Sequence, residues 1–116
     1  MADPDCLFCK IIAGDMPAQF VHQDDRCVVI RDLNPQAPTH VLVIPREHIE
    51  SLDDAAQSDE GLLGHLLRVG ARVADHEGHG ESGYRTVINT GAGAGQSVFH
   101  LHVHVLSGRP MHWPPG

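Results

Sequence analysis

The stretch Phe99-His100-Leu101-His102-Val103-His104-Val105 alternates histidines with apolar residues, and it decides the fold. Because successive side chains of a β-strand point to opposite faces, the pattern predicts a strand over Val98 to Leu106 with three imidazoles on one face. The apolar residues between them would pack into a core on the other face. Such a row is costly to bury unless it is paired, and it adds no stability if exposed. Metal binding, phosphate chemistry and a purely structural row are the three interpretations.

A glycine-rich loop, Gly91 to Gly95, runs into this predicted strand through Gln96 and Ser97. Small residues let backbone N–H groups approach an anion closely, and the amide and hydroxyl side chains add further donors. The loop precedes a strand, whereas a dinucleotide-binding fingerprint follows a strand and opens a helix. Neutral imidazoles beside such a loop are competent nucleophiles near pH 7, so the combination favours phosphate chemistry.

Outward from this region, the sequence predicts short strands around one long helix. A short helix is expected over Leu7 to Ala13, ended by Gly14. The long helix is expected over Ser58 to His76, where leucines recur at helical spacing. The other predicted strands are Phe20 to Gln23, Cys27 to Arg31, His40 to Ile44 and Tyr84 to Asn89. The pattern predicts an α+β fold, an antiparallel meander of about five strands with one long and one short N-terminal helix.

Size and composition restrict the function. A chain of 116 residues predicts a single domain over residues 1–116. The net charge of −7 argues against nucleic acid as a partner. No apolar run approaches the roughly 20 residues that span a bilayer, and the acidic N-terminus does not resemble a signal peptide. We therefore expect a cytoplasmic protein with no membrane partner, and three cysteines, an odd number, argue against a disulfide framework.

The segment His100 to Leu106 matches the His-x-His-x-His motif of the histidine triad (HIT) family, and the resemblance extends from Cys6 onward. Further matching segments are Asp32 to His40, Val43 to Pro45, Gly95 to Ser97 and Met111 to Gly116. The terminal Trp-Pro-Pro-Gly is similar to that of the histidine-triad nucleotide-binding (Hint) branch, whose members are homodimers that hydrolyse purine nucleoside phosphoramidates. The resemblance implies a HIT-like fold and a hydrolase of phosphorus–nitrogen bonds that binds AMP- or GMP-type nucleotides without an organic cofactor.

The resemblance also assigns catalytic roles. His102 would attack the α-phosphorus and form a nucleotidyl-histidine intermediate, which water then resolves. His104 would hydrogen-bond the phosphoryl oxygens and help to protonate the leaving group. His40 resembles the supporting fourth histidine of the family, and Ser97 would donate to the phosphate or the leaving group.

The same resemblance places a nucleotide around these histidines. Asp32 would accept the ribose hydroxyls, since a carboxylate is a strong acceptor. Six apolar residues would line the base, although for each of them the sequence alone favours ordinary core: Leu7, Phe8, Ile11, Ile30, Leu33 and Leu42. Asn89, Gly95 and Gln96, with Ser97, would contact the phosphate or the leaving group.

Cys6 and Cys9 have the two-residue spacing of a zinc half-site, with two plain thiols as the alternative. In HIT proteins that carry this pair, structural zinc takes two further ligands, which correspond here to His48 and His100. His100 would then be structural, and Cys27 would be a buried thiol.

Other readings of the triad and of the assembly follow from the same family. A dinucleoside polyphosphate hydrolase also carries the triad, and a nucleotide-binding regulatory module with incidental activity is a third class. Small residues on the long helix, Gly64, Gly70 and Ala71, would permit two copies to pair. The resemblance implies a homodimer in which the C-terminal tail, Met111 to Gly116, brings Trp113 near the partner's site.

Overall fold

The computed structural model describes residues 2–116 and contains one five-stranded antiparallel sheet with a helix on each face. The strands are β1 (Phe20–Gln23), β2 (Cys27–Arg31), β3 (Thr39–Pro45), β4 (Arg85–Val87) and β5 (Val103–Ser107), in the order β1-β2-β3-β5-β4. The helices are α1 (Leu7–Ala13) and α2 (Glu60–His76). The predicted α+β meander with one long and one short helix is confirmed. Within residues 2–116, no helix combines the length and hydrophobicity needed to cross a bilayer.

The central strand β3 is buried along its whole length and separates two apolar clusters. Val41 and Val43 pack towards α2, whereas the alternate residues Leu42 and Ile44 pack towards α1. This division follows from the two-residue period of a strand. His40 has the same parity as Leu42, so it belongs to the face that α1 covers.

Helix α1 has the bounds that the sequence predicted, because a capping residue fixes each of its ends. The Cys6 thiol accepts a hydrogen bond from the Cys9 N–H at 3.4 Å and caps the N-terminus. Gly14 ends the helix with φ +87, a left-handed conformation that favours glycine. Helix α2 begins two residues later than predicted, because residues Gln57–Asp59 form a 3-10 turn.

The strand predicted over Val98 to Leu106 is wrong in its first half, since β5 begins at Val103. The cause lies in the partner strand: β3 pairs with β5 from Val43 opposite Val103, and the chain beyond Pro45 no longer runs alongside. The Leu101 N–H instead donates to the Ile49 carbonyl at 2.7 Å. The alternation of side chains nevertheless persists, and Leu101 is fully buried beside Val103.

Two further predictions change in extent or meaning. Strand β4 covers Arg85–Val87 rather than Tyr84 to Asn89, because its register with β5 ends at His104. Gly70 does not face a second copy: a Cβ built there would lie 3.0 Å from Val105 Cγ2, so this glycine lets α2 approach its own sheet.

Candidate functional site

The three motif histidines divide between two sites. His104 lies on β5, and His102 immediately precedes that strand; their ring centroids are 5.0 Å apart. His100 is fully buried and faces the cysteines of α1. Their ring nitrogens therefore do not converge on one point, which excludes a metal site formed by these three histidines alone.

The protonation pattern of His102 is fixed by a backbone carbonyl. Its Nδ1 lies 2.7 Å from the His100 carbonyl oxygen, which can only accept, so Nδ1–H donates and Nε2 keeps its lone pair. Burial lowers the pKa of His102, and the carbonyl bond and the Asp32 carboxylate offset this only in part. His102 is thus a neutral imidazole with a free Nε2 at pH 7.

A chain of hydrogen bonds gives His104 the opposite tautomer to His102, with its proton on Nε2. The Gln36 backbone N–H donates to His40 Nδ1 at 3.0 Å, so the His40 proton resides on Nε2. His40 Nε2 lies 2.9 Å from His104 Nδ1 and donates to it. His104 then carries its own proton on Nε2. We call the hydrogen-bonded pair of His40 and His104 the relay. Asp32 Oδ2 lies 3.4 Å from His40 Nε2 and adds negative charge beside this pair.

Both relay histidines are neutral near pH 7. Burial, together with the neighbouring His102 and His40 imidazoles, lowers the pKa of His104 to about 4, and Asp32 opposes this shift. Burial also lowers the pKa of His40, again against Asp32. The site therefore presents one lone pair and one N–H donor without net positive charge on the imidazoles.

These two imidazoles border a cavity of about 220 Å³ beside α1. It is lined by Leu7, Phe8, Ile11, Ile30, Arg31, Asp32, Leu33, Leu42, Ser97, Val98, His102 and His104. All six apolar residues expected around a base are in this set, although Leu33 is 96% exposed. Sequence reasoning missed Arg31 and Val98. Their positions between or beside expected lining residues were the available signal.

Three expected phosphate ligands do not line the cavity: Asn89, Gly95 and Gln96. The Gln96 side chain is buried and fully engaged with the backbone. Its oxygen accepts from the Gly91 N–H at 2.8 Å, and its Nε2 donates to the carbonyls of Glu50 and Val98. Gln96 thus shapes the glycine-rich loop instead of presenting a free donor to a ligand.

A second cluster forms where α1 meets His100. His100 Nδ1 lies 3.3 Å from Cys6 Sγ and 3.6 Å from Cys9 Sγ, and His48 Nδ1 lies 3.3 Å from Cys9 Sγ. The two Nδ1 atoms are 3.1 Å apart. Tetrahedral zinc with ordinary bond lengths separates sulfur from nitrogen by about 3.5 Å and two nitrogens by about 3.3 Å. The four donor atoms therefore lie close to the spacing of a Cys₂His₂ site.

The tautomer of His100 supports the same interpretation. Its Nε2 donates to the Pro45 carbonyl at 2.8 Å, which leaves the Nδ1 lone pair directed at the cluster. Burial lowers the pKa of His100 to about 4, so the imidazole is in the neutral form that binds metals. A backbone carbonyl on the other ring nitrogen is one of the usual second partners of a zinc-bound histidine.

Comparisons with known proteins agree on one family. The family model described as "Scavenger mRNA decapping enzyme C-term binding" matches residues 5–113. An uncharacterised HIT-like protein of Synechococcus elongatus is 52% identical over 112 residues, which is 97% of this chain and 97% of that protein.

Solved structures give the same result. A HIT family hydrolase from Legionella pneumophila is 47% identical with a TM-score of 0.95, over 97% of this chain and 100% of that one. A zinc-bound histidine triad family protein from Mycobacterium smegmatis is 35% identical with a TM-score of 0.79, over 90% of this chain and 76% of that one.

Proposed function

This chain belongs to the histidine triad (HIT) family, and we propose that it is a nucleotide-binding hydrolase that cleaves purine nucleoside 5′-phosphoramidates, as the Hint branch does. The observation that carries the proposal is the pair of neutral imidazoles of opposite polarity at one cavity. His102 offers a lone pair, and His104 offers an N–H. An attack on phosphorus needs both, a nucleophile and a donor for the phosphoryl oxygens.

The reaction proceeds in two displacements. First, His102 Nε2 bonds to the α-phosphorus while the phosphorus–nitrogen bond breaks, and the amine leaves with that electron pair and takes up a proton. Second, a water oxygen bonds to the phosphorus, the phosphorus–Nε2 bond breaks, and the water gives up a proton. The sum is phosphoramidate plus water giving a nucleoside 5′-monophosphate and an amine.

The surrounding residues fit a bound mononucleotide. The apolar wall that Phe8 and Ile30 share would hold the base, and Asp32 would accept the ribose hydroxyls. Ser97, at the edge of the cavity, would donate to the phosphate or the leaving group. The Gln96 side chain, engaged with the backbone, would brace the segment that leads to Ser97 rather than contact the phosphate.

We assign the second cluster to structural zinc, with Cys6, Cys9, His48 and His100 as ligands. Zinc there would cross-link α1 to the segments that follow β3 and precede β5. The zinc-bound relative and the spacing of the four donor atoms support this assignment. Catalysis is left to His102 and His104, since His100 has both ring nitrogens engaged.

The assembly we propose is a homodimer of single HIT domains, each spanning residues 1–116. Arg85 Nη2 donates to the His112 carbonyl at 2.9 Å and holds the start of the tail against the edge strand β4. The next residue, Trp113, is 83% exposed. An exposed aromatic held at a sheet edge is a suitable interface anchor, which supports its placement near the partner's site.

A second candidate function comes from the matched family model, whose description names a decapping enzyme. A hydrolase of phosphoric anhydride bonds, such as a dinucleoside polyphosphate hydrolase, would use the same two imidazoles. A regulatory module that binds nucleotide with incidental activity is the remaining class.

One assay separates the three. Purified protein is incubated with an adenosine 5′-phosphoramidate, with diadenosine polyphosphates and with AMP alone, and products are resolved by chromatography. We expect turnover of the phosphoramidate and an acid-labile nucleotidyl-protein adduct in quenched single-turnover samples. Faster cleavage of the dinucleotide would favour the second candidate, and AMP binding without any turnover would favour the module.

A further inference from the structure

The two residues that follow β5 grip the loop of residues 33–38. Arg109 Nε donates to the Gln36 carbonyl at 2.9 Å. Beside it, Gly108 has φ +94, and a Cβ built there would lie 2.8 Å from Pro38 Cβ. Only glycine permits this conformation and this approach. We call these two contacts, Arg109 to Gln36 and Gly108 to Pro38, the clasp.

The loop of residues 33–38 determines which ring nitrogen of His40 carries the proton. The Gln36 N–H donates to His40 Nδ1, and the Gln36 carbonyl accepts from Arg109. Both groups flank the same Cα, so anchoring one restricts the other. Among the hydrogen bonds that residues 33–38 make in the described chain, only the one from Arg109 comes from outside residues 32–40.

We propose that Arg109 is a positioning residue that, through Gln36, keeps His40 protonated on Nε2 and thereby keeps the proton of His104 on the nitrogen facing the cavity. The kinetic consequence rests on the proposed function, whereas the tautomer of His40 can be measured without it.

Loss of the clasp has a definite chemical consequence. Without the Gln36 N–H, the His40 proton is free to move to Nδ1, and His40 Nε2 then becomes an acceptor. His104 would satisfy it with an Nδ1–H and would present a bare Nε2 to the phosphoryl oxygen. Complete loss of such a donor costs about 10²- to 10³-fold in kcat, and Arg109 only biases the equilibrium, so we expect roughly a tenfold loss.

Two independent changes open the clasp. Arg109→Ala removes the donor, and Gly108→Ala forces the backbone away from Pro38. Arg109→Lys retains a cation that can reach the carbonyl and should restore most of the loss. Gly83→Ala is the matched control, because Gly83 also has positive φ (+101) but no atom within 4 Å of a built Cβ. Truncation after Arg109 keeps the clasp and removes the tail, which Arg109 also contacts through the Pro110 carbonyl.

The readouts are the ring ¹⁵N shifts of His40 and His104, the affinity for AMP, and kcat and KM for an adenosine phosphoramidate. We expect both clasp variants to shift the His40 signals towards the Nδ1–H tautomer and to lose about tenfold in kcat with KM within about twofold. Gly83→Ala and the truncated chain should retain the wild-type tautomer. An unchanged His40 tautomer in both clasp variants overturns the inference, even if kcat falls. A wild-type protein that cleaves no phosphoramidate refutes the proposed function instead, and the ¹⁵N shifts still decide the role of Arg109.

Discussion

Replacement of His102 by glycine is the most direct test of the covalent mechanism. The His102 imidazole is buried, and its removal costs one hydrogen bond to a carbonyl and leaves a small void. Together these losses amount to about 2–4 kcal/mol of stability, which a domain of this size tolerates. The loss of the proposed nucleophile would act in the transition state alone. We therefore expect kcat to fall about 10³-fold or more, equivalent to about 4 kcal/mol of barrier, with little change in the affinity for AMP.

The void itself supplies a sharper measurement. Free imidazole should enter the space left by His102→Gly and restore part of the turnover in proportion to its concentration, with nucleotidyl-imidazole as the transient product. His76→Ala, an exposed histidine on α2, is the matched control and should retain wild-type kcat. A glycine variant that keeps a tenth of the wild-type kcat without imidazole would refute the covalent mechanism.

Three other predictions concern the metal, the relay and the tail. Zinc should co-purify at about one ion per chain, and a chelator should lower Tm; metal-replete protein without zinc by elemental analysis would contradict this. In the native state burial lowers the pKa of His104 to about 4, whereas the pKa in the unfolded chain is about 6.5. Protonation of His104 therefore favours the unfolded state, and the free energy of unfolding should fall as pH drops from about 6.5 towards 4. Urea titrations across this range should show that fall, and it should shrink in His104→Phe. Truncation after Arg109 should leave a dimer by sedimentation but change the relative kcat/KM for different amine leaving groups; a monomer, or unchanged ratios, would count against the proposed tail.

Side-chain direction could be predicted from the sequence, whereas hydrogen-bond partners could not. The alternation around His102 correctly indicates that Leu101 and Val103 are core residues, because that depends only on local chain geometry. Whether the residues before Val103 pair with a neighbouring strand depends on where β3 ends, at Pro45, which is distant in sequence. The extent of β5 is therefore wrong in the prediction, although the placement of Leu101, Val103 and Val105 in the core is right.

The candidate site shows the same division. The resemblance to the HIT family indicated most of the cavity-lining side chains, and the spacing of Cys6 and Cys9 indicated the pair that lies beside His100. The tautomers that give His102 and His104 opposite polarity depend on the His100 carbonyl and the Gln36 N–H. The positions of backbone groups cannot be read from residue types. For the same reason, neither the hydrogen bond from Arg109 to the Gln36 carbonyl nor the bonds from the Gln96 side chain to the backbone could be predicted before the fold was known.

The seven-residue helix α1 is shared by both sites, which leads to a last prediction. Cys9 of α1 and its N-terminal cap, Cys6, belong to the cluster with His48 and His100, while Phe8 and Ile11 line the cavity. The Phe8 ring packs edgewise on both His100 and His102, with centroids 5.8 and 5.0 Å apart. A helix this short is not stable alone, so its position depends on what it is tied to.

Cys9→Ser should therefore weaken AMP binding about fivefold or more, the lower range of coupling between linked sites, although Cys9 does not line the cavity. Cys27→Ala is the matched control, because Cys27 is an equally buried thiol in the cluster packed against α2 and contacts neither site. Calorimetric titration with AMP on the two variants, with Tm recorded for each, distinguishes coupling from general destabilisation. An unchanged Kd in Cys9→Ser despite a lowered Tm would mean that α1 holds its cavity-lining face without the cluster. An equal loss of affinity in both variants would mean that overall stability, rather than α1, sets the affinity.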